Sequence, residues 1–283
     1  MPTVAITEFT DPGCPVAYSS EPYRWRLRWL FGDQLEWRER MVGLSAQRPE
    51  DGKGITPERM AASWASLSAR HGMPMSTEVK EAAAATLPAC RAVVAARRHA
   101  PDREWLLLRA LRVLHFSGPL IDDPGTIRTA AADAGLDPDA LEAWMAEPGT
   151  EEALQEDLRL ARDPTPAALA LAPTGKLARA GDGWRYTCPS YEMAAADGTG
   201  FSAPGLQSAL TYETVLANLA PDLERRDPPG DVAEVLAWAG VPLASQEVAE
   251  VCGISRAEAR ERLAAAGAQE QRVGTDGFWA AAG

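Results

Sequence analysis

Residues 3–18 read TVAITEFTDPGCPVAY, and the change of character at Asp11 decides how the rest of the chain is read. Residues 3 to 10 form a β-branched and aromatic run, which predicts a strand ending at the turn-forming Asp11-Pro12-Gly13. Cys14-Pro15 follows, with Trp25, Trp29 and Leu30 at helical spacing beyond it. Pro15 suits a first helical turn, whereas Pro22 is expected to kink the interior of the same helix. Cys14 is thereby expected at a helix N-terminus. Unpaired backbone N–H groups and the positive end of the helix dipole stabilise a thiolate there, which makes Cys14 a candidate nucleophile.

Working outward, residues 35–44 (LEWRERMVGL) alternate imperfectly, with Leu35, Trp37, Glu39 and Met41 on one face of an expected strand. From Thr56 to about Arg162 the pattern turns to helical segments rich in Ala, Leu and Arg, opened by Thr56-Pro57, Asp123-Pro124 and Asp137-Pro138. Strand signals return at 184–187 and 190–193, with Asp197-Gly198 as a turn, before a helix over about 211–219. The segment Arg226-Asp227-Pro228-Pro229-Gly230 reads as a linker. Beyond it come a helix at 232–239, a helix capped by Ser245, a turn at 253–255, a helix to about Ala266 and a hairpin around Thr275-Asp276-Gly277.

With 283 residues, 46% hydrophobic and 24% charged, the chain can bury more than one core. A net charge of -12 disfavours nucleic acid and anionic membranes as partners, since both are polyanions. Neither a basic-then-apolar leader nor a run of about 18 apolar residues occurs, so a cytoplasmic location is expected. Cysteines 14, 90, 188 and 252 contain no C-x-x-C pair, and the three histidines lie in no metal-ligand spacing, so no sequence-local metal site is expected.

The segments EFTDPGCPVAY (8–18), ALRVLHFSGPLIDDPGTIRTAAADAGLD (110–137), Thr187-Cys188-Pro189 and GLQSALTYETVLANL (205–219) together resemble the DsbA-like family of the thioredoxin superfamily, including its FrnE-type members. The likeness runs over about residues 3 to 225. It implies an α/β thioredoxin fold (residues 1–50 and 165–225) split by an all-helical insertion (51–164). Residues 231–283 would add a small domain that resembles a winged helix. The resemblance puts Cys14 at the first cysteine of the family's motif and Pro189 at its cis-proline position. The family's second cysteine is replaced by Ala17, so a two-cysteine shuttle within the motif is lost and a mixed disulfide is the natural remainder.

The same resemblance sets Cys188 opposite Cys14. A disulfide between them is one expectation, a contribution of the two sulfurs to a soft-metal site is a second, and a cysteine that merely fills a slot beside Pro189 is the third. Pro15, Val16, Ala17, Tyr18, Thr187 and Pro189 are expected to line the substrate site, with His115 contributed by the helical insertion. Asp11 beside Cys14 is read as a turn residue or a proton-steering group. Cys90 and Cys252 lie in apolar helical settings and are left outside the site. The expected activity is thiol–disulfide exchange or isomerisation on a small thiol or a cysteine-containing substrate, with no tightly bound cofactor, a small thiol as co-substrate and a homodimer as one possible assembly. The alternatives are a small-thiol-dependent isomerase or transferase, of the kappa-class or 2-hydroxychromene-2-carboxylate isomerase type, and a non-catalytic binding protein. The C-terminal segment 229–283 carries four arginines against eight acids, a balance that disfavours a DNA-binding face and suits packing or dimerisation.

Overall fold

The computed structural model describes residues 4–49 and 55–281; the domain boundary expected at 50 and 51 lies outside them. Strand β1 (Val4–Thr10) leads through the Asp11–Gly13 turn into α1 (Pro15–Tyr18), α2 (Glu21–Phe31) and β2 (Leu35–Met41). Pro22 does not kink a helix. It opens a second one, in the first turn, where a missing N–H costs no hydrogen bond. The break at Ser19 and Ser20 is sealed by their hydroxyls, which donate to the carbonyls of Pro15 and Ala17 at 2.7 Å each.

The insertion comprises α3 (Pro57–His71), α4 (Leu87–His99), α5 (Glu104–Ser117), α6 (Pro124–Asp133), α7 (Pro138–Met145) and α8 (Pro148–Ala161). Thr56, Asp123 and Asp137 are N-caps, as their position before proline predicts. The insertion is not helical throughout, because residues 72–86 run as an irregular segment between α3 and α4. A short helix α9 (Pro166–Ala170) and the hairpin β3 (Leu177–Ala180) and β4 (Gly183–Tyr186) precede β5 (Ser190–Ala195), β6 (Gly200–Ala203) and α10 (Ala209–Leu219). The main sheet has the order β2-β1-β5-β6, with β1 parallel to β2 and antiparallel to β5. Segments nearly 190 residues apart in sequence thus share one sheet, and Phe9 lies opposite Ser190 beside the Cys14 turn.

The last segment forms α11 (Val232–Ala239), β7 (Leu243–Ala244), α12 (Ser245–Cys252), α13 (Arg256–Ala265), β8 (Gln269–Val273) and β9 (Asp276–Ala280), with sheet order β7-β9-β8. Ser245 does not cap α12. Its hydroxyl donates to Asp276, and the Glu247 carboxylate instead accepts the Ala244 N–H at 2.7 Å. Three arginines of α13 are held by acids: Arg256 and Arg260 by Asp276, and Arg262 by Glu258.

This segment is not a detached domain. Val235, Leu236, Val248, Leu263 and Trp279 share one continuous core with Ile6, Trp25, Trp29, Met193 and Leu216. Trp25 of α2 meets Trp105 of the insertion edge-on at 4.7 Å and Trp238 of α11 at 5.5 Å, so three chain regions converge on one indole. Beneath them lies a buried ion network. Arg24 pairs with Glu8 (2.8 Å) and Glu39, Arg112 with Glu21, and Arg109 with Glu247 (2.5 Å). Ions at this depth persist only when paired and hydrogen-bonded, and here α2, both parallel strands, α5 and α12 supply each other's counter-charges.

Candidate active site

Cys14 occupies the N-cap of α1 in extended backbone, with Pro15 in the first helical turn. The tight turn before it is fixed by Asp11, which is fully buried. Its carboxylate accepts from Gly13 N–H and Leu44 N–H at 2.8 Å each, and from the Thr86 hydroxyl at 2.9 Å. The Cys90 thiol completes the set at 3.6 Å. Burial pushes the Asp11 carboxyl above its ordinary range while these donors pull it back. Asp11 is thus the anchor of the loop rather than a group facing solvent. Cys90 stays outside the site but touches it through this carboxylate.

Across the turn, the hairpin β3–β4 delivers Thr187, Cys188 and Pro189, and the Cys188–Pro189 peptide bond is cis. The Cys14 thiol faces the Cys188 carbonyl oxygen at 3.5 Å, and both cysteines are free thiols with about 7% of their surface exposed. Cys188 hydrogen-bonds Cys14 and lowers its pKa; burial opposes this, and the N–H groups of Ala17 and Val16 at the helix start reinforce it. Cys188 moves the other way. Burial pushes its thiol well above the usual range, and the neighbouring Cys14 adds to that. Of the two sulfurs, Cys14, which the helix N-terminus faces, is therefore the one that ionises first.

A cleft of about 420 Å³ opens over the two sulfurs, lined by Val16, Leu44, Lys176, Arg185, Thr187 and Leu206 among others. Of the expected lining residues it gathers Cys14, Val16, Thr187 and Cys188. The rest fall elsewhere. Ala17 and Tyr18 are wholly buried, Tyr18 stacking on Phe116 and donating to the Pro74 carbonyl at 2.9 Å. Pro189 is buried beneath the loop and Pro15, though partly exposed, does not line the cleft. His115 is buried against Trp64 and Phe116, away from the sulfurs, where burial holds its pKa down to about 3.

Lys176 and Arg185 are the charged lining residues that sequence reasoning missed. Lys176 is one of only three lysines in the chain, which was the available signal. Among the described residues no three His, Cys, Asp or Glu side chains converge as a metal-ligand set, and no helix is long and apolar enough to cross a membrane.

No protein-family model matches the sequence, and no curated protein is significantly similar to it. Solved structures do match. A candidate protein disulfide isomerase from Nitrosomonas europaea superposes with a TM-score of 0.58 at 15% identity, over 76% of this chain and 97% of its own. A candidate DsbA oxidoreductase from Streptomyces coelicolor gives 0.53 at 18%, over 80% and 92%. The cytosolic disulfide reductase DsbM from Pseudomonas aeruginosa, solved with GSH, gives 0.51 at 16%, over 75% and 98%.

Proposed function

We infer that this chain, which has the DsbA-like thioredoxin fold with a helical insertion, carries out thiol–disulfide exchange through Cys14. The observation that supports this reading is the Cys14 thiol at the N-cap of α1, drawn toward its anion by Cys188 and by the Val16 and Ala17 N–H groups, under an open cleft. The Cys14 thiolate attacks one sulfur of a substrate disulfide, forms the mixed disulfide and expels the other sulfur as a thiolate, which takes up a proton from water.

Ala17 offers no sulfur for resolution, so a second thiolate, from a small thiol in solution, attacks the mixed disulfide and releases Cys14. That attack leaves the substrate sulfur in a mixed disulfide with the small thiol, and a second small thiolate then displaces it; the sum is one substrate disulfide reduced to two thiols and one small-thiol disulfide formed, with two small thiols each giving up one electron and one proton. A reducing compartment such as the cytoplasm would drive the cycle in that direction. Cys188 is the alternative resolving group, because it already contacts Cys14; its raised pKa makes it the poorer nucleophile of the two at neutral pH.

Intact-mass thiol counting with iodoacetamide, before and after reduction, tests this on the wild type, Cys14→Ser and Cys188→Ser. Rapid labelling at Cys14 in the wild type, together with a mixed-disulfide adduct that disappears in Cys14→Ser and persists in Cys188→Ser, is the expected result. An adduct that forms at neither cysteine would leave a non-catalytic binding protein as the better description. Two thiols that appear only after reduction, and in neither variant, would make Cys188 the resolving group.

A further inference from the structure

We propose that Lys176 and Arg185 act as an anion clamp over Cys14 and select a low-molecular-weight thiol that carries carboxylate groups near its sulfur. The inference deepens the exchange reading above by giving the co-substrate a charge. Its first observation is pairing. The interior arginines Arg24, Arg97, Arg109 and Arg112 are matched to carboxylates. Lys176 and Arg185 line the Cys14 cleft with no carboxylate partner among the described residues. Two half-buried cations left unpaired in a chain of net charge -12 mark a place where negative charge is supplied from outside.

The second observation is that both side chains are positioned. Lys176 stands at the foot of β3 and Arg185 in β4, with Ala178 and Arg185 paired across the hairpin. The Lys176 carbonyl accepts the Thr187 hydroxyl at 2.6 Å, which ties the lysine backbone to the residue before Cys188. Its ammonium donates to the Leu206 carbonyl at 3.1 Å, leaving two of its three N–H groups for a ligand. Arg185 donates to the Tyr186 carbonyl at 2.9 Å and likewise keeps most of its donors. Gly205 has φ +68°, and a Cβ there would stand 2.9 Å from the Lys176 Cδ, so the lysine stem runs through space that only glycine leaves open.

The third is shape. A cleft of about 420 Å³, with Val16, Leu44 and Leu206 on its apolar side, accommodates a molecule of tripeptide size or smaller whose stem lies on those side chains. Its sulfur would point at Cys14 and its carboxylates at the two cations.

Alkylation with a charged and a neutral reagent of similar size reads the clamp without requiring exchange. Second-order rates at Cys14 are measured by site-resolved mass spectrometry with iodoacetate and iodoacetamide on the full chain. The ratio of the anionic to the neutral rate is expected to fall about tenfold in Lys176→Gln/Arg185→Gln, at the low end of electrostatic rate effects. The wild-type advantage should shrink as salt rises, and Lys176→Arg should retain it. An unchanged ratio in the double variant, or one insensitive to salt, overturns the clamp. Silence of Cys14 toward both reagents overturns the clamp and the exchange reading together.

Release of Cys14 from a mixed disulfide by 3-mercaptopropionate and by 2-mercaptoethanol, compared per thiolate, separates the two ideas. Preference for the anionic thiol, lost in the double variant, supports both. Anion-selective alkylation without release by either thiol keeps the clamp and rejects exchange.

Discussion

At the scale of single residues, Asp11 and Cys14 pull against each other. The Asp11 charge raises the Cys14 pKa, while its oxygens hold the turn that aims the helix N-terminus at the sulfur. Asp11→Asn separates these roles. The Cys14 thiol pKa, read from the pH profile of alkylation, should fall further, because a negative neighbour is removed. Stability should drop by about 1–3 kcal/mol in urea titration, because an amide N–H now meets donors that the carboxylate accepted. A thiol pKa that rises instead would show that the turn geometry outweighs the charge.

At the scale of elements, α5 gathers four titratable side chains on one helix. His115 is neutral in the fold, at a pKa of about 3 against an ordinary 6.5, so the unfolded chain takes up the proton first. Its contribution to stability is intact above about pH 6.5 and is lost as the pH falls toward 3, at about 1.4 kcal/mol per pH unit. Urea titrations at pH 7 and pH 5 should differ by about 2 kcal/mol less in His115→Gln than in the wild type.

Glu104 has the opposite slope. Burial beside Glu39 raises its pKa to about 9, and Arg97, 3.7 Å away, is already held by Asp157 at 2.7 Å. The stability it contributes is present below about pH 4.5 and declines as the pH rises toward 9. Glu104→Gln keeps a donor for Glu39 without the proton linkage. Its melting temperature should gain on the wild type progressively from pH 5 to pH 8.

The elements around the site show where sequence reading stops. The β1 strand, the Cys14 turn and the helices opened by Thr56-Pro57, Asp123-Pro124 and Asp137-Pro138 were legible because each is specified within four or five residues. The pairing of Glu8, Arg24 and Glu39 was not, since a charged residue on a strand or helix gives no sign of which distant partner neutralises it. Tyr18 and Ala17 were misassigned to the substrate site for a related reason. Residues three and four beyond an N-cap turn inward, and only distant neighbours reveal that the inner side is filled: Phe116 and Pro74 for Tyr18, and the cluster of Phe9 and Val42 for Ala17. Lys176 escaped notice because the β3 strand that follows it has no strand pattern of its own, and Arg185 because the strand read at 184–187 gave no sign that its side chain faces a cleft.

At the scale of the whole molecule, α12 packs on α2 through Val248 and Val251, and Glu247 neutralises Arg109 in the interior. Glu247→Gln strands that guanidinium and should cost about 3–5 kcal/mol in urea titration, with a single transition by fluorescence and by circular dichroism. A separate low-stability transition confined to the last fifty residues would contradict the shared core. The turn between β8 and β9 adds to the lock. Gly274 has φ +58° and runs so close to the Met75 carbonyl that a Cβ there would overlap it.

The shared ion network also has a consequence for biosynthesis. Arg109 is made well before the carboxylate that it needs, for Glu247 lies 138 residues downstream, and β1 waits still longer for its inner neighbour β5. A nascent chain that stops short of α12 therefore holds an unclosed hydrophobic face and an interior guanidinium without its Glu247 partner. Synthesis of α12, rather than of the Cys14 and Cys188 loops, supplies the carboxylate that this interior needs for Arg109.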